Sequence, residues 1–412
     1  MEYKKIGEIC LVKGGKRLPK GETLVDFKTA HPYIRITDYS TGRLNQENIK
    51  YLTDETFNRV SRYTISKDNI FLSIVGTIGI VDIIKSEMDG ASLTENAVKL
   101  EIKDKSSLDP KYLLYYLKSP QGQWEINIRT VGSTQPKLAI TRIKDIPVPI
   151  IHMEKQKRIV NILNSLDSKI ELNNQMIATL EELAATLFKR WFVDFEFPDE
   201  NGNPYKSSGG KMVDSELGEI PEGWEVTQIS GFSTKMVNGG TPSRKKKEYW
   251  QNGIIPWIKT KEIKNNYVIQ SEENITLEGL ENSSAKLLDV NTILVAMYGA
   301  TAGQLGYLCF EASTNQACCA IICDYPNYLY QNLKFKQQYL KSLATGSAQQ
   351  NLSKEIIGNI RILKPADTQI DNFEFILGTF SEKIKDIVEE NKTLVGIRDI
   401  LLPKLLSGEV EI

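Results

Sequence analysis

The sequence predicts two α/β (α+β) globular domains in tandem, each followed by a long helix, with the two helices paired as an antiparallel coiled coil. Three observations carry this expectation. A set of short motifs occurs twice, half a chain apart. Two stretches hold an apolar 4-3-4-3 spacing over about four heptads. The charge divides along the same boundaries.

The motifs keep one order in both halves. Pro32 to Asp38 (PYIRITD) matches Pro256 to Glu262 (PWIKTKE), and Ser73 to Gly79 (SIVGTIG) matches Ala296 to Gly303 (AMYGATAG). Leu93 to Ala97 (LTENA) matches Ser313 to Ala317 (STNQA). Gly132-Ser133, Gln135 and Leu138 match Gly346-Ser347, Gln349 and Leu352. A period of half the chain means duplication of a whole domain, not a solenoid. Within each unit, NIFLSIVG and TILVAMYG read as strands. PKYLLYYLKS reads as a helix with Pro110 in its first turn, and YLYQNLKFKQQYLKSL as its counterpart.

The first seam runs Ile159, Leu163, Leu166, Ile170, Asn173, Ile177, Leu180, Ala184, Leu187 and Trp191. The second runs Phe373, Leu377, Phe380, Ile384, Ile387, Asn391, Leu394, Arg398, Leu401 and Leu405. Each has one asparagine at a core position. Antiparallel pairing with full overlap sets Asn173 against Asn391, Ala184 against Phe380 and Trp191 beside Phe373. A parallel pairing sets each asparagine against an apolar residue. A buried polar pair fixes register, so the antiparallel intramolecular arrangement is expected. Arg398 interrupts the seam; its stem can lie along the groove with the guanidinium in water. Ile159 to Trp191 spans roughly 50 Å at 1.5 Å per residue. Two domains held at such a distance can address two sites on one face of a duplex, about a turn apart, one turn being about 34 Å.

The boundaries expected are a first domain at 1–150, a long helix at 151–193, a linker at 194–223, a second domain at 224–367, and a second helix with the C-terminal tail at 368–412. Residues 1–150 hold 23 Lys+Arg and 18 Asp+Glu, a balance of +5. Residues 224–367 hold 15 and 12, giving +3, and the remainder holds 13 and 22, giving −9. Basic domains joined by acidic helices point toward nucleic acid.

Several function classes find no support in the sequence. No apolar run reaches transmembrane length and the N-terminus has no signal-peptide core, so the cytoplasm is expected. The five cysteines (Cys10, Cys309, Cys318, Cys319, Cys323) include no CxxC pair, and His31 and His152 lack a ligand pattern, so no metal site is expected. There is no phosphate-binding GxxxxGK[ST] loop. No nucleophile–base grouping is evident, so no catalytic residue is assigned.

The connector from Phe188 to Val226 and the C-terminal LLPKLLSGEVEI (Leu401 to Ile412) resemble the central and C-terminal conserved regions of one family, the specificity (S) subunits of type I restriction–modification systems. The resemblance covers the whole chain. It implies a non-catalytic subunit with two target-recognition domains. Each would read one half of a bipartite, asymmetric DNA target. The helices would set the spacing and dock methylation (M) subunits, usually two, and restriction (R) subunits could join. The partners, not this chain, would use S-adenosylmethionine, ATP and Mg2+. The amino-methyltransferase signature Asn/Asp-Pro-Pro-aromatic is absent; Asn203-Pro204-Tyr205 lacks its second proline. Two other readings stay open: an orphan DNA-binding scaffold without restriction partners, and a self-contained DNA methyltransferase.

Reading DNA takes donors and acceptors at base edges and cations on phosphates. The candidates are the Gly-Gly loops with Lys13, Lys16, Arg17, Arg244 and Lys245, and the residues after the Pro-aromatic-Ile motif, Arg35, Thr37, Lys259 and Lys261. To these are added the repeated polar loops, Ser133, Thr134, Gln135 and Lys137 in one half and Ser347, Gln349, Gln350 and Asn351 in the other. Each set has a bland alternative: a solvated turn, a strand end, or a loop in which glutamine caps an element. Asn173 and Asn391 are register residues only.

Overall fold

The structure is a computed structural model and describes residues 2–40, 43–46, 49–132, 136–344 and 351–410. It divides into two compact units, residues 1–169 with 394–412, and residues 170–393.

In the first unit, strands Cys10–Gly14, Ala97–Ile102, Ile70–Ser73 and Val81–Ile83 lie side by side in that order, all antiparallel. Ile70–Ser73 is buried at every residue, so its first three residues are apolar, and the Ser73 hydroxyl is satisfied by the Ile80 amide at 2.8 Å. In a second sheet Pro32–Ile34 runs parallel to Ala91–Leu93, with Lys50–Tyr51 and Thr64–Ile65 outside them. The helix Pro110–Lys118 begins where expected. Asp109 accepts from the amides of Lys111 and Tyr112 at 2.8 and 3.2 Å, and the proline occupies a position that needs no donor. Its buried Tyr112 and Tyr116 donate to the carbonyls of Pro149 and Pro147 at 3.0 and 2.5 Å. They thereby fix Pro147–Ile150, which pairs antiparallel with Glu2–Lys5.

The second unit repeats this plan. Lys235–Asn238, Cys318–Ile322, Ile293–Ala296 and Leu305–Leu308 form the corresponding antiparallel order, extended by Asn266–Val268 parallel to the last. Ile255–Ile258 runs parallel to Ser313–Thr314. Glu225–Gln228 pairs with Arg361–Lys364 as the first domain's opening strand pairs with its closing one. The expected counterpart helix is broken into Pro326–Phe335 and Gln337–Ser342. The break falls at Lys336, whose ammonium burial holds below its ordinary pKa. The first domain breaks at the same place, where Ser119 caps a new helix that opens with Pro120.

The long helices are Met153–Phe192 and Asp367–Ser407. Within the second unit they run antiparallel. Asn173, 1% exposed, donates from Nδ2 to Asn391 Oδ1 at 2.9 Å and to Glu390 Oε2 at 2.8 Å. Asn391 donates onward to Asn174 Oδ1 at 3.0 Å. Trp191 and Phe373 have ring centroids 5.8 Å apart, so eighteen residues forward on one helix match eighteen back on the other. Within the first unit, Arg398 departs from the expectation that water would take its guanidinium. It is half-buried and donates to Asp167 Oδ1 and Asp399 Oδ1, each at 2.9 Å. A cation at a seam position gains more from carboxylates in a low-dielectric groove than from partial hydration.

The expected linker at 194–223 is folded. Phe197 stacks on Tyr205 and Trp224 at 4.6 and 5.1 Å, and Met212–Ser215 forms a hairpin with Gly218–Pro221. These rings join Phe188, Trp191, Phe192, Tyr328 and Phe373 in one apolar cluster.

Candidate nucleic-acid interface

The repeated motifs are brought together in both domains, chiefly by backbone contacts. In the first, Gly15 donates to the Ala97 carbonyl at 3.1 Å and Lys16 to the Leu93 carbonyl at 2.9 Å. In the second, Gly239 donates to Cys318 at 3.0 Å and Gly240 to Thr314 at 2.8 Å. A Cβ on Gly15 would overlap the carbonyl oxygens of Leu93 and Thr94, and one on Gly239 those of Thr314 and Asn315. The glycines therefore serve close approach between two chain segments. The aromatic of the Pro-aromatic motif locks the same loop. Tyr33 donates its hydroxyl to the Lys16 carbonyl at 3.0 Å, and Trp257 its indole N–H to the Gly240 carbonyl at 2.9 Å. The acid that ends the motif caps the following turn: Asp38 accepts from the Arg35 amide at 2.7 Å and Glu262 from the Lys259 amide at 2.9 Å.

A cleft of about 460 Å³ results in the first domain. It is lined by Arg17, Tyr33, Arg35, Thr37, Thr94, Glu95 and Asn96, among others. It gathers Arg17, Arg35 and Thr37 from two separate motifs, and it also brings acids. Arg17, 84% exposed, meets Glu95 at 3.1 Å, and Arg35 meets the buried Asp38 at 2.5 Å. Lys13 lies on a strand, 3.9 Å from Glu101, and Lys16 sits over the Tyr63 ring at 5.6 Å.

The cations of the second domain are more fully engaged. Arg244 pairs with Glu273 at 2.5 Å and lies 3.5 Å over the Trp250 ring. Lys259 meets Glu272 and Glu273 at 2.9 and 2.6 Å, and Lys261 meets Glu272 at 2.6 Å. Hydrogen bonds from Lys261 and Lys259 hold the Glu272 carboxyl down at about 2, and Arg244, then Lys259, lowers that of Glu273. The same carboxylates raise Lys259. Lys245 is exposed, and among the described residues it has no ion-pair partner.

Ser133, Thr134, Gln135, Ser347, Gln349 and Gln350 lie outside the described residues. The rims of their loops are described. Val131 and Lys137 exchange backbone bonds at 3.0 and 2.8 Å, which closes the first loop at its base. The buried Leu138 and Leu352 donate to the carbonyls of Ile74 and Met297 at 3.0 and 2.8 Å. Each polar loop is thus stitched to the glycine turn of its own domain. Lys137 bridges Val75 and Asn351 bridges Tyr298 in the same way.

Sequence reasoning missed Glu95 and Asn96 in the cleft, the glutamates opposite the second set of cations, and two positioning glutamines. Gln123 donates to the Gly79 carbonyl and Gln337 to the Gly303 carbonyl, each at 3.1 Å, bolting the glycine turn to the helix beside it. The two glutamines sit at the 214-residue offset of the polar loops, a signal present in the sequence. Among the described residues no cluster of His, Cys, Asp or Glu could hold a metal, and no helix is long and apolar enough to cross a membrane.

Two domains of one plan, each with its motifs gathered by a single set of backbone bonds, match a known family model. The type I restriction modification DNA specificity domain matches residues 1–182 and again 221–390. The chain belongs to this family. The HindI specificity subunit of Haemophilus influenzae is 29% identical to it over 335 residues, covering 68% of this chain and 72% of that protein. The MjaIX specificity subunit of Methanocaldococcus jannaschii is 26% identical over 423 residues, covering 100% and 94%. The crystal structure of an S subunit from M. genitalium shares the fold of this specificity-family chain, with a TM-score of 0.59, 17% identity, and 98% and 95% of the two chains covered.

Proposed function

We propose that the chain is the DNA-sequence specificity subunit of a type I restriction–modification complex. In this reading each target-recognition domain, at 1–150 and 224–367, reads one half of a bipartite asymmetric target. The observation that carries it is the doubled domain itself: the same motifs make the same backbone contacts twice, while the side chains they present differ. Identical halves would suit a palindrome; divergent halves suit an asymmetric site.

The long helices set the spacing and dock methylation subunits, and restriction subunits join through that assembly. The chain carries out no chemical step. Its partners bind S-adenosylmethionine, ATP and Mg2+. Among the predicted contacts, Lys245, Lys137 and Asn351 are the strongest for DNA, because they are exposed and hold no carboxylate among the described residues. Arg35, Arg244, Lys259 and Lys261 support the fold of the reading surface through their acids.

The test is adenine-methylation mapping in a host that expresses this chain with its neighbouring methylation subunit, compared with that subunit alone. A bipartite, non-palindromic motif that requires this chain is the expected result. A motif unchanged by omitting the chain refutes the proposal.

A further inference from the structure

Tyr298 and Asn351 face each other across an antiparallel bridge, and Val75 and Lys137 do the same in the first domain. Residues directly opposite in such a bridge carry their Cβ atoms about 4.5–5.5 Å apart on one face. The direction of that face follows from the neighbours. Leu138 and Leu352 point into their cores, and side chains alternate along an extended segment, so Lys137 and Asn351 point outward. Both are exposed, Tyr298 is 44% exposed and Val75 half-buried. Each bridge joins the glycine turn to the rim of the polar loop, and the turn is held from behind by Gln123 or Gln337. The backbone is therefore the same rigid platform in both domains, and only the side-chain pair on it changes.

We infer that these bridged pairs are specificity-determining residues, Val75 with Lys137 for one half-site and Tyr298 with Asn351 for the other. The inference rests on the reading under Proposed function and adds to it which positions set the base preference. The chemistry of the pairs differs in kind. An asparagine amide can bond adenine bidentately at N6 and N7, and the tyrosine beside it limits the rotamers from which it does so. A lysine ammonium donates to guanine O6 and N7, and a valine methyl suits the thymine methyl. The second half-site accordingly contains an adenine read by Asn351, and the first a guanine read by Lys137.

The experiment uses the full chain assembled with its methylation subunit, with S-adenosylmethionine, on a library of genomic fragments. Variants Asn351→Asp, Tyr298→Ala and the transplant Val75→Tyr/Lys137→Asn are compared with wild type for motif, methylation rate and Tm. Asn351→Asp and Tyr298→Ala should relax one position of one half-motif and slow methylation of the cognate site roughly tenfold to hundredfold. The other half and the spacer should stay unchanged, which controls for folding. The transplant should alter the opposite half. Wild-type motifs and rates in all three variants would overturn the inference while leaving the specificity reading intact. Loss of both halves together with a lowered Tm would overturn it as well, because the residues would then act on folding. A wild-type complex that shows no bipartite motif would remove the inference and the reading together.

Discussion

Replacing Asn173 by leucine tests what the buried amide pair contributes. The substitution removes the donor to Asn391 Oδ1 and the donor to the Glu390 carboxylate, at 2.9 and 2.8 Å. A buried acceptor left without a donor costs about 1–3 kcal/mol, and a bond to a charged partner is worth about 1.5–3 kcal/mol. Asn391 is only half-buried, so water can reach its oxygen and the low end of those ranges applies. Asn173→Leu should thus destabilise by about 1–2 kcal/mol. Asn391→Leu should cost a similar amount, since Asn173 then keeps only Glu390. Replacing both by leucine should cost clearly less than the sum of the two, because the apolar pair leaves no amide facing a missing partner, although Glu390 and Asn174 each still lose one donor. The cycle then shows a coupling of about 1 kcal/mol or more. The assay is urea unfolding of the purified full chain, with the free energy extrapolated to water. Single variants costing below about 0.5 kcal/mol with additive effects would refute the reasoning and leave register to the apolar seam alone.

Gly15→Ala should destabilise by about 1–3 kcal/mol through overpacking against the carbonyls of Leu93 and Thr94, read by thermal unfolding. Glu374 accepts from the amides of Asn327 and Tyr328, and burial raises its carboxyl above the ordinary 4.5. A raised acid holds its proton more tightly when folded, so its contribution declines as pH rises through the unfolded value. The stability difference between Glu374→Gln and wild type should therefore move in the variant's favour as pH rises above 4.5, and a pH series of unfolding midpoints checks the sign. Lys245→Ala should leave unfolding unchanged and reduce the salt slope of DNA binding by about 1, measured by titration at several salt concentrations. Arg244→Ala should lower the Tm, because that side chain is stacked on Trp250 and paired with Glu273.

The repeat, the long helices and their direction were legible because period and motif order survive in the chain itself. The antiparallel register could be read from one asparagine in each seam. The use of the motifs was less legible. PYIRITD and PWIKTKE look like strand ends with a free base. Their aromatic tips and acids instead bind backbone, as Tyr33 does on Lys16 and Asp38 on Arg35. The Gly-Gly pairs resemble anion-binding loops in sequence, yet the folded chain brings carbonyls against them. Charge was the least legible property. Arg17 is matched by Glu95 from a segment far along the chain, and a count of cations cannot foresee such a partner. The 194–223 segment, expected as a linker, holds a hairpin and an aromatic cluster. The aromatic residues Phe195, Phe197, Tyr205 and Trp224 were the signal for it in the sequence.

Each recognition domain enters and leaves through one ladder, Glu2–Lys5 with Pro147–Ile150 and Glu225–Gln228 with Arg361–Lys364. Such a ladder is made of backbone carbonyls, which every residue supplies, and amides, which every residue but proline supplies. Everything between its two strands can be exchanged as a cassette, provided the incoming block ends in two strands able to pair. Genetic recombination within the helices or the connector would then deliver a new half-specificity in one step. The helical framework would remain unaltered, and a lineage could revise what the chain recognises without rebuilding the rest of the fold.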